Sequence, residues 1–362
     1  VIVIVMATPI SKDFPWMIYG ANGYTGKLCA DEAGRRGLRP VLAGRNREAV
    51  EAVASEHGFE SRVFGLDDPD GAAKHLHDIA AVLHCAGPFS ATARPMLEAC
   101  ERSRTHYLDI TGEIEVFEFV HQHSNRWADA GIVAMPGVGF DVVPSDCLAA
   151  MLKRELPDAT HLTLALRSRR GKMSPGTTKT MIEGLPRGCR VRRDGRLVNV
   201  PSGSLTRRIP FGKEPQLAVA IPWGDVSTAY YSTGIPNIEV YAGIPEKQIK
   251  WMRLIAKLGP VLGLGPIQNF LKRRVEKTVR GPSDEERATD NVILWGEVRN
   301  NSGVTRTMRM HTPEAYTLTA ESSVLAAERI AGGSVPAGAQ TPSMAFGPDF
   351  VLALQGVTCE TL

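Results

Sequence analysis

A short apolar run that ends in three spaced glycines constrains this chain more than any other feature. Trp16-Met17-Ile18-Tyr19 has the length and apolarity of a buried parallel strand, and Gly20-Ala21-Asn22-Gly23-Tyr24-Thr25-Gly26 follows it directly. A helix over 27–34 is expected to open there, its first N–H groups free to meet a pyrophosphate and no Cβ blocking the approach. The spacing is GxxGxxG and not GxGxxG, so the turn by itself also admits a purely structural reading. Residues 40–43 supply a second apolar strand, followed by Gly44-Arg45 with Arg47 beside it. A site that prefers NAD places a carboxylate there for the ribose, whereas a guanidinium pairs with a 2′-phosphate. The expected cofactor is therefore NADP(H), held by Gly20, Asn22, Gly23, Tyr24, Thr25, Gly26 and Arg45.

Up to about residue 157, apolar strands alternate with helical patterns, which is the signature of a doubly wound parallel sheet. Further strands are expected at 61–64, 80–85, 105–110 and 131–135, and helices at 47–57, 71–77, 91–102, 114–129 and 144–156. Such sheets bind ligands at the carboxyl ends of their strands. That rule singles out the loops Ala86-Gly87-Pro88-Phe89, Thr111-Gly112-Glu113 and Pro136-Gly137-Val138-Gly139-Phe140-Asp141. From about Leu162 the pattern changes. Asp194-Gly195 and Asn300-Asn301-Ser302-Gly303 each separate two strand-like runs, and 216–221 and 238–241 add more. A mixed, mostly antiparallel second domain is expected, and a helix over 314–331 whose apolar positions suit packing back on the first. The fold class is α/β, a Rossmann-type sheet with a second α+β domain. Its expected division is a disordered N-terminal extension (1–14), a cofactor domain (15–157), a substrate and dimerisation domain (158–312) and a C-terminal helix and tail (313–362).

Composition narrows the function classes. The 362 residues exceed what one core usually supports, and 42 Lys+Arg against 39 Asp+Glu is too balanced for a nucleic-acid binder. The six cysteines, Cys29, Cys85, Cys100, Cys147, Cys189 and Cys359, form no CxxC pair and read as reduced thiols of a cytoplasmic protein. The opening Val1-Ile2-Val3-Ile4-Val5 lacks a basic flank and is soon interrupted by Pro9, Lys12 and Asp13, so neither a signal peptide nor a spanning helix is expected. His75 with His77 and His121 with His123 stand two apart on helical segments and diverge, so no metal site is expected.

Four motifs in order carry a resemblance. They are the glycine turn with Ala43-Gly44-Arg45, Cys85-Ala86-Gly87-Pro88-Phe89, Tyr107-Leu108-Asp109-Ile110-Thr111-Gly112-Glu113, and Gly139-Phe140-Asp141-Val142-Val143-Pro144-Ser145-Asp146. Together they resemble the saccharopine dehydrogenase-like oxidoreductases. Pro175-Gly176-Thr177-Thr178 and Tyr316-Thr317-Leu318-Thr319-Ala320-Glu321 fit the branch of trans-acting enoyl reductases of lipid and polyketide assembly. The resemblance implies that Gly20, Gly23 and Gly26 hold the pyrophosphate, that Arg45 meets the 2′-phosphate, and that Ala86, Gly87, Pro88 and Phe89 line the nicotinamide. For an enoyl thioester, N–H donors at Gly176, Thr177 and Thr178, with Lys179 close by, are candidates to stabilise the enolate. Tyr107 and Asp141 are candidate proton carriers. For Asp109, Glu113 and Asp141, capping of backbone N–H groups competes with any chemical role.

Two other readings stay open. A saccharopine-type or amino-acid imine reductase needs several cations for substrate carboxylates, and residues 167–213 hold 13 Lys or Arg against Glu183 and Asp194. The same excess suits an acidic acyl carrier domain, an anionic membrane surface or a solvated hairpin. A non-catalytic NADP-binding scaffold or sensor is the other. Residues 249–270, rich in Trp, Leu, Ile and Phe with cations on both sides, are too short and too broken by Pro260 and Pro266 to span a bilayer. They are expected either in the core or as a peripheral, acyl-chain-contacting element. Homodimerisation is a further expectation.

Overall fold

The computed structural model describes residues 15–169, 171–256, 259–333 and 335–362, so the expected N-terminal extension lies outside the described residues. Six strands, β1 (Trp16–Tyr19), β2 (Val41–Gly44), β3 (Ser61–Val63), β4 (Ala81–His84), β5 (His106–Asp109) and β6 (Val133–Met135), run parallel in the order β6-β5-β4-β1-β2-β3. The chain leaves β1 towards β2 and later returns to β4 on its other side. The carboxyl ends of β1 and β4 therefore flank the switch point where a doubly wound sheet opens a cleft. The connecting helices are α1 (Tyr24–Arg35), α2 (Arg47–His57), α3 (Pro69–Lys74), α4 (Phe89–Ser103), α5 (Ile114–Gln122), α6 (Ser124–Asp129) and α7 (Val143–Glu155).

Local chemistry sets the ends of these elements. Asn46 caps α2 by accepting from the Ala49 N–H, and Gly58, at φ 64°, closes it in the left-handed region. The single helix expected over 114–129 is two. The His123 ring binds the Phe119 carbonyl, the acceptor that the His123 amide would need to continue the helix.

The second sheet comprises β7 (His161–Ser168), β8 (Cys189–Arg193), β9 (Arg196–Val200), β10 (Thr206–Ile209), β11 (Gln216–Ala220), β12 (Asn237–Gly243), β13 (Asn291–Arg299), β14 (Thr305–Pro313) and a strand at Thr358–Thr361. The β8–β9 hairpin hangs on β12, and β7–β12 is the one parallel pairing described in this sheet. Asp194 (φ 48°) and Gly195 (φ 76°) form the turn that the Asp-Gly pair implied. Helices α8 (Pro175–Gly184), α9 (Asp225–Thr233), α10 (Glu246–Ala256), α11 (Gly259–Leu262), α12 (Gly265–Thr278) and α13 (Asp284–Thr289) connect the strands.

The chain then returns to the first sheet. Helix α14 (Ala315–Ala331) lies against α1, and β15 (Gly338–Ala339) adds a seventh parallel strand beside β6. One apolar core runs from Ile18, Leu83 and Leu108 of the first sheet through α7 and α14 to Leu164, Val240 and Leu294 of the second. Ser322 and Ser323 of α14 donate to the Val138 carbonyl, and the Phe140 N–H donates to Thr319, so α14 fixes the loop that carries Asp141. Among the described residues no helix is long and apolar enough to cross a membrane.

Candidate functional site

At the end of β1 the chain turns through Gly20 (φ 84°) into α1, which starts three residues earlier than the glycine pattern implies. Gly23 is the N-cap, and the first intrahelical bond is donated by Lys27 to the Gly23 carbonyl. The N–H groups of Tyr24, Thr25 and Gly26 are thus left without backbone acceptors among the described residues. Gly26 lies inside the first turn because a Cβ there would sit 2.2 Å from the Gly20 carbonyl oxygen. A Cβ on Gly20 would come within 2.8 Å of Ala86, so the glycine turn and the loop after β4 are in contact. The Asn22 amide lies over Gly44 at the end of β2. Arg45 follows, exposed and with no ion pair or hydrogen bond among the described residues, whereas Arg47 is engaged with Glu51. Three N–H groups without backbone acceptors among the described residues, a turn that admits no Cβ at Gly20 or Gly26, and an unpaired guanidinium fit the pyrophosphate and 2′-phosphate of NADP(H).

Arg45→Ala is expected to weaken NADP(H) binding by about 1.5–3 kcal/mol and leave NAD(H) nearly unchanged. Titration of both cofactors tests this; equal losses would remove Arg45 from the 2′-phosphate site.

The loop after β4 is anchored by Glu113. Its carboxylate accepts from the Phe89 N–H at 2.9 Å and the Ser90 N–H at 2.7 Å, capping α4 from the neighbouring strand end. Burial, aided by the charges of Glu183 and Asp109, pushes its carboxyl up to about 7. Ala86, Gly87 and Pro88 remain at the strand edge, but the Phe89 ring is buried edge-on against His84 and forms part of the core beneath the site. Among the described residues His84 has no partner for either ring nitrogen, and burial lowers its pKa to about 3 and holds it neutral. Tyr107 is likewise lost as a proton carrier: it is fully buried and donates to Asp109 at 2.6 Å. Asp109 also accepts from the Thr111 and Gly137 N–H groups, so it braces two site loops.

Asp141 differs from these caps. Its carboxyl lies over Gly112, where a Cβ would meet Oδ2 at 2.4 Å, and its Oδ1 is shielded from solvent with no partner among the described residues. Burial raises this carboxyl to about 7.

A band of hydroxyls faces the glycine turn from the second domain. Tyr24 donates to the Pro282 carbonyl at 2.6 Å, accepts from Arg287, and packs edge-on against Tyr316. The Tyr24 side chain therefore locks α1 to the 281–287 segment, and its backbone N–H is what remains for the cofactor. The Tyr316 hydroxyl accepts from the Ser174 N–H and bonds the Thr177 hydroxyl. The Thr177 N–H donates to Ser174, so it is not the free donor the sequence implied, and Lys179 points to Glu276 on α12. Ser90 donates to Glu183 of α8, which is paired in turn with Lys272 of α12. Ser90, Ser174, Glu183 and Arg287 carry no sequence signal of their own, because only the fold brings them to the cofactor loops.

A parallel sheet with a phosphate-binding turn at its switch point, joined to a second mixed sheet, is the architecture of a dinucleotide-binding domain with a second domain attached. Residues 16–135 match the family pattern of the saccharopine dehydrogenase NADP binding domain. It is 32% identical over 192 residues to a putative trans-acting enoyl reductase of Mycobacterium tuberculosis, covering 49% of this chain and 45% of that protein. It is 30% identical over 224 residues to a trans-acting enoyl reductase of Mycobacterium bovis, covering 58% and 53%. The chain spans about half the length of these relatives. Saccharopine dehydrogenase (L-Glu forming) from Saccharomyces cerevisiae shares the whole fold, with a TM-score of 0.68 at 12% identity over 96% of this chain and 100% of that one.

Proposed function

We propose that the chain is an NADP(H)-dependent reductase of enoyl thioesters. The observation that carries this reading is where the cations go. A reductase of dicarboxylic imines needs unpaired Arg or Lys groups around its substrate. In the basic run, seven of the thirteen cations, Lys172, Lys179, Arg187, Arg190, Arg192, Arg193 and Arg207, are each paired with a glutamate of another segment. What adjoins the cofactor loops is Ser90, Ser174, Thr177 and Tyr316, together with Asp141 and Glu113. That lining suits a neutral thioester carbonyl better than two carboxylates. The names of the mycobacterial relatives point the same way.

When bound, NADPH supplies a hydride to Cβ of the enoyl group, leaving negative charge on the thioester oxygen and a proton to be added at Cα. Asp141 is the group we assign to that proton, since its shielded Oδ1 has no partner and its carboxyl stays protonated up to about pH 7. Hydroxyls of the Ser174–Thr177–Tyr316 cluster orient the thioester.

The test is NADPH oxidation against enoyl thioesters and against oxo-acid plus amine pairs. Saturable turnover with enoyl thioesters alone is expected; turnover with the oxo-acid pairs makes the chain an imine reductase, and NADPH binding without turnover of either class makes it a scaffold. Turnover should fall as pH rises through about 7, because the proton-bearing form of Asp141 is lost. Asp141→Asn should remove that limb and keep NADPH affinity.

A further inference from the structure

Helix α10 is turned the opposite way from a helix that belongs to a core. Ile249 is its buried residue, and Trp251, Leu254 and Ile255, at i, i+3 and i+4, point away from it. Trp251 is 56% exposed, and Val261, Leu264 and Phe270, the last 62% exposed, are further exposed apolar side chains on or beside α11 and α12. Of the alternatives left open by the sequence for 249–270, burial in the core is therefore not what most of these side chains adopt.

Charge on these helices follows the same arrangement. Lys247, Lys250, Arg253, Arg273, Arg274 and Lys277 are exposed on α10 and α12. The two acids of those helices, Glu246 and Glu276, are already paired with Lys250 and Lys179. We propose that α10 to α12 form a docking surface for an anionic lipid bilayer, which the protein touches without crossing. Exposed Trp, Leu and Phe enter the headgroup boundary, and unneutralised cations beside them meet lipid phosphates. A second copy of the chain is disfavoured, because a symmetric contact through this surface sets cations against cations.

Docking there also places the site at the membrane. Helix α12 is tied to α8 through Lys272–Glu183 and Lys179–Glu276, and the Gln268 amide donates to the Ile182 carbonyl. Glu183 in turn reaches Ser90 beside the cofactor loop.

The experiment is co-sedimentation of the full chain with phosphatidylcholine vesicles, with and without phosphatidylglycerol. Binding is expected only with the anionic lipid, together with quenching of Trp251 by brominated acyl chains. The quenching should vanish in Trp251→Phe, since Trp16, Trp127 and Trp295 are buried and Trp223 is half-buried against Phe140. Arg273→Glu with Arg274→Glu, both on the surface, should weaken vesicle binding at least about tenfold and leave NADPH affinity unchanged. No sedimentation of the wild-type chain with either vesicle overturns the proposal. So does unchanged binding of the double variant, and so does concentration-dependent dimerisation abolished by Trp251→Ser, which assigns the surface to a second copy. None of these readouts uses turnover, so the reductase reading stands or falls separately.

Discussion

Gly26→Ala should abolish NADPH binding and destabilise the first domain, although it adds a single methyl group. The new Cβ would sit 2.2 Å from the Gly20 carbonyl oxygen and 2.8 Å from the Ala21 Cα, both backbone atoms that no rotamer change can move. Helix α1 must lift away from the end of β1, where it is also locked to the second domain through Tyr24 and to α14. Overpacking of this kind costs about 1–3 kcal/mol or more. The displaced Tyr24, Thr25 and Gly26 N–H groups would lose charge-assisted bonds to phosphate, each about 1.5–3 kcal/mol. NADPH affinity should therefore drop by more than about a hundredfold. Gly23→Val is the companion. At φ −75° and ψ 166° Gly23 has backbone angles open to any residue, so this variant should fold while its side chain occupies the phosphate approach. Denaturation midpoints and NADPH titration separate the two: both variants lose the cofactor, and only Gly26→Ala also loses stability. A folded Gly23→Val with full affinity would falsify the placement of the pyrophosphate.

The cofactor half of this molecule was legible because its signals are local. Strand, glycine turn and Arg45 lie within thirty residues of sequence, and each obeys a steric or electrostatic rule that needs no partner from elsewhere. The Asp194-Gly195 hairpin was legible for the same reason, since its left-handed turn is written in two adjacent residues. The substrate side was not. Tyr107 and Phe89 sit in motifs at strand ends, yet burial removes the Tyr107 hydroxyl and the Phe89 ring from the cleft, and alternation along a parallel strand buried on both faces gives no warning of that. Thr177 and Lys179 looked like free donors until Ser174 and Glu276, one three residues away and the other on α12, claimed them. The basic excess of 167–213 was visible as composition, but its partners Glu115, Glu118, Glu239, Glu276, Glu286 and Glu297 lie far off in sequence, so charge alone could not tell a ligand site from a set of internal pairs.

Arg192→Ala should be the most destabilising change in that basic run. The Arg192 side chain is nearly fully buried on β8, where each guanidinium nitrogen donates once: Nε to the Val226 carbonyl at 2.8 Å, Nη1 to the Gly195 carbonyl at 2.8 Å, and Nη2 to Glu118 of α5. Its guanidinium also lies 4.3 Å from the centre of the Tyr230 ring. Glu118 accepts from Ser227 and Tyr231 as well, so α5 of the cofactor domain, the β8–β9 hairpin and α9 meet in one satisfied network. Truncation leaves the carboxylate without its cation and two carbonyls without donors, a loss of about 3–5 kcal/mol for a buried pair broken from one side. Removing both charges is a different change. Arg192→Met with Glu118→Leu strands no buried ion, so the double variant should be more stable than Arg192→Ala even though it lacks the same ion pair. Urea unfolding of the single and double variants measures the difference. If Arg192→Ala unfolds at the wild-type urea concentration, the pair does not join the hairpin to α5, and the two sheets owe their attachment to α7, α14 and the apolar core between them.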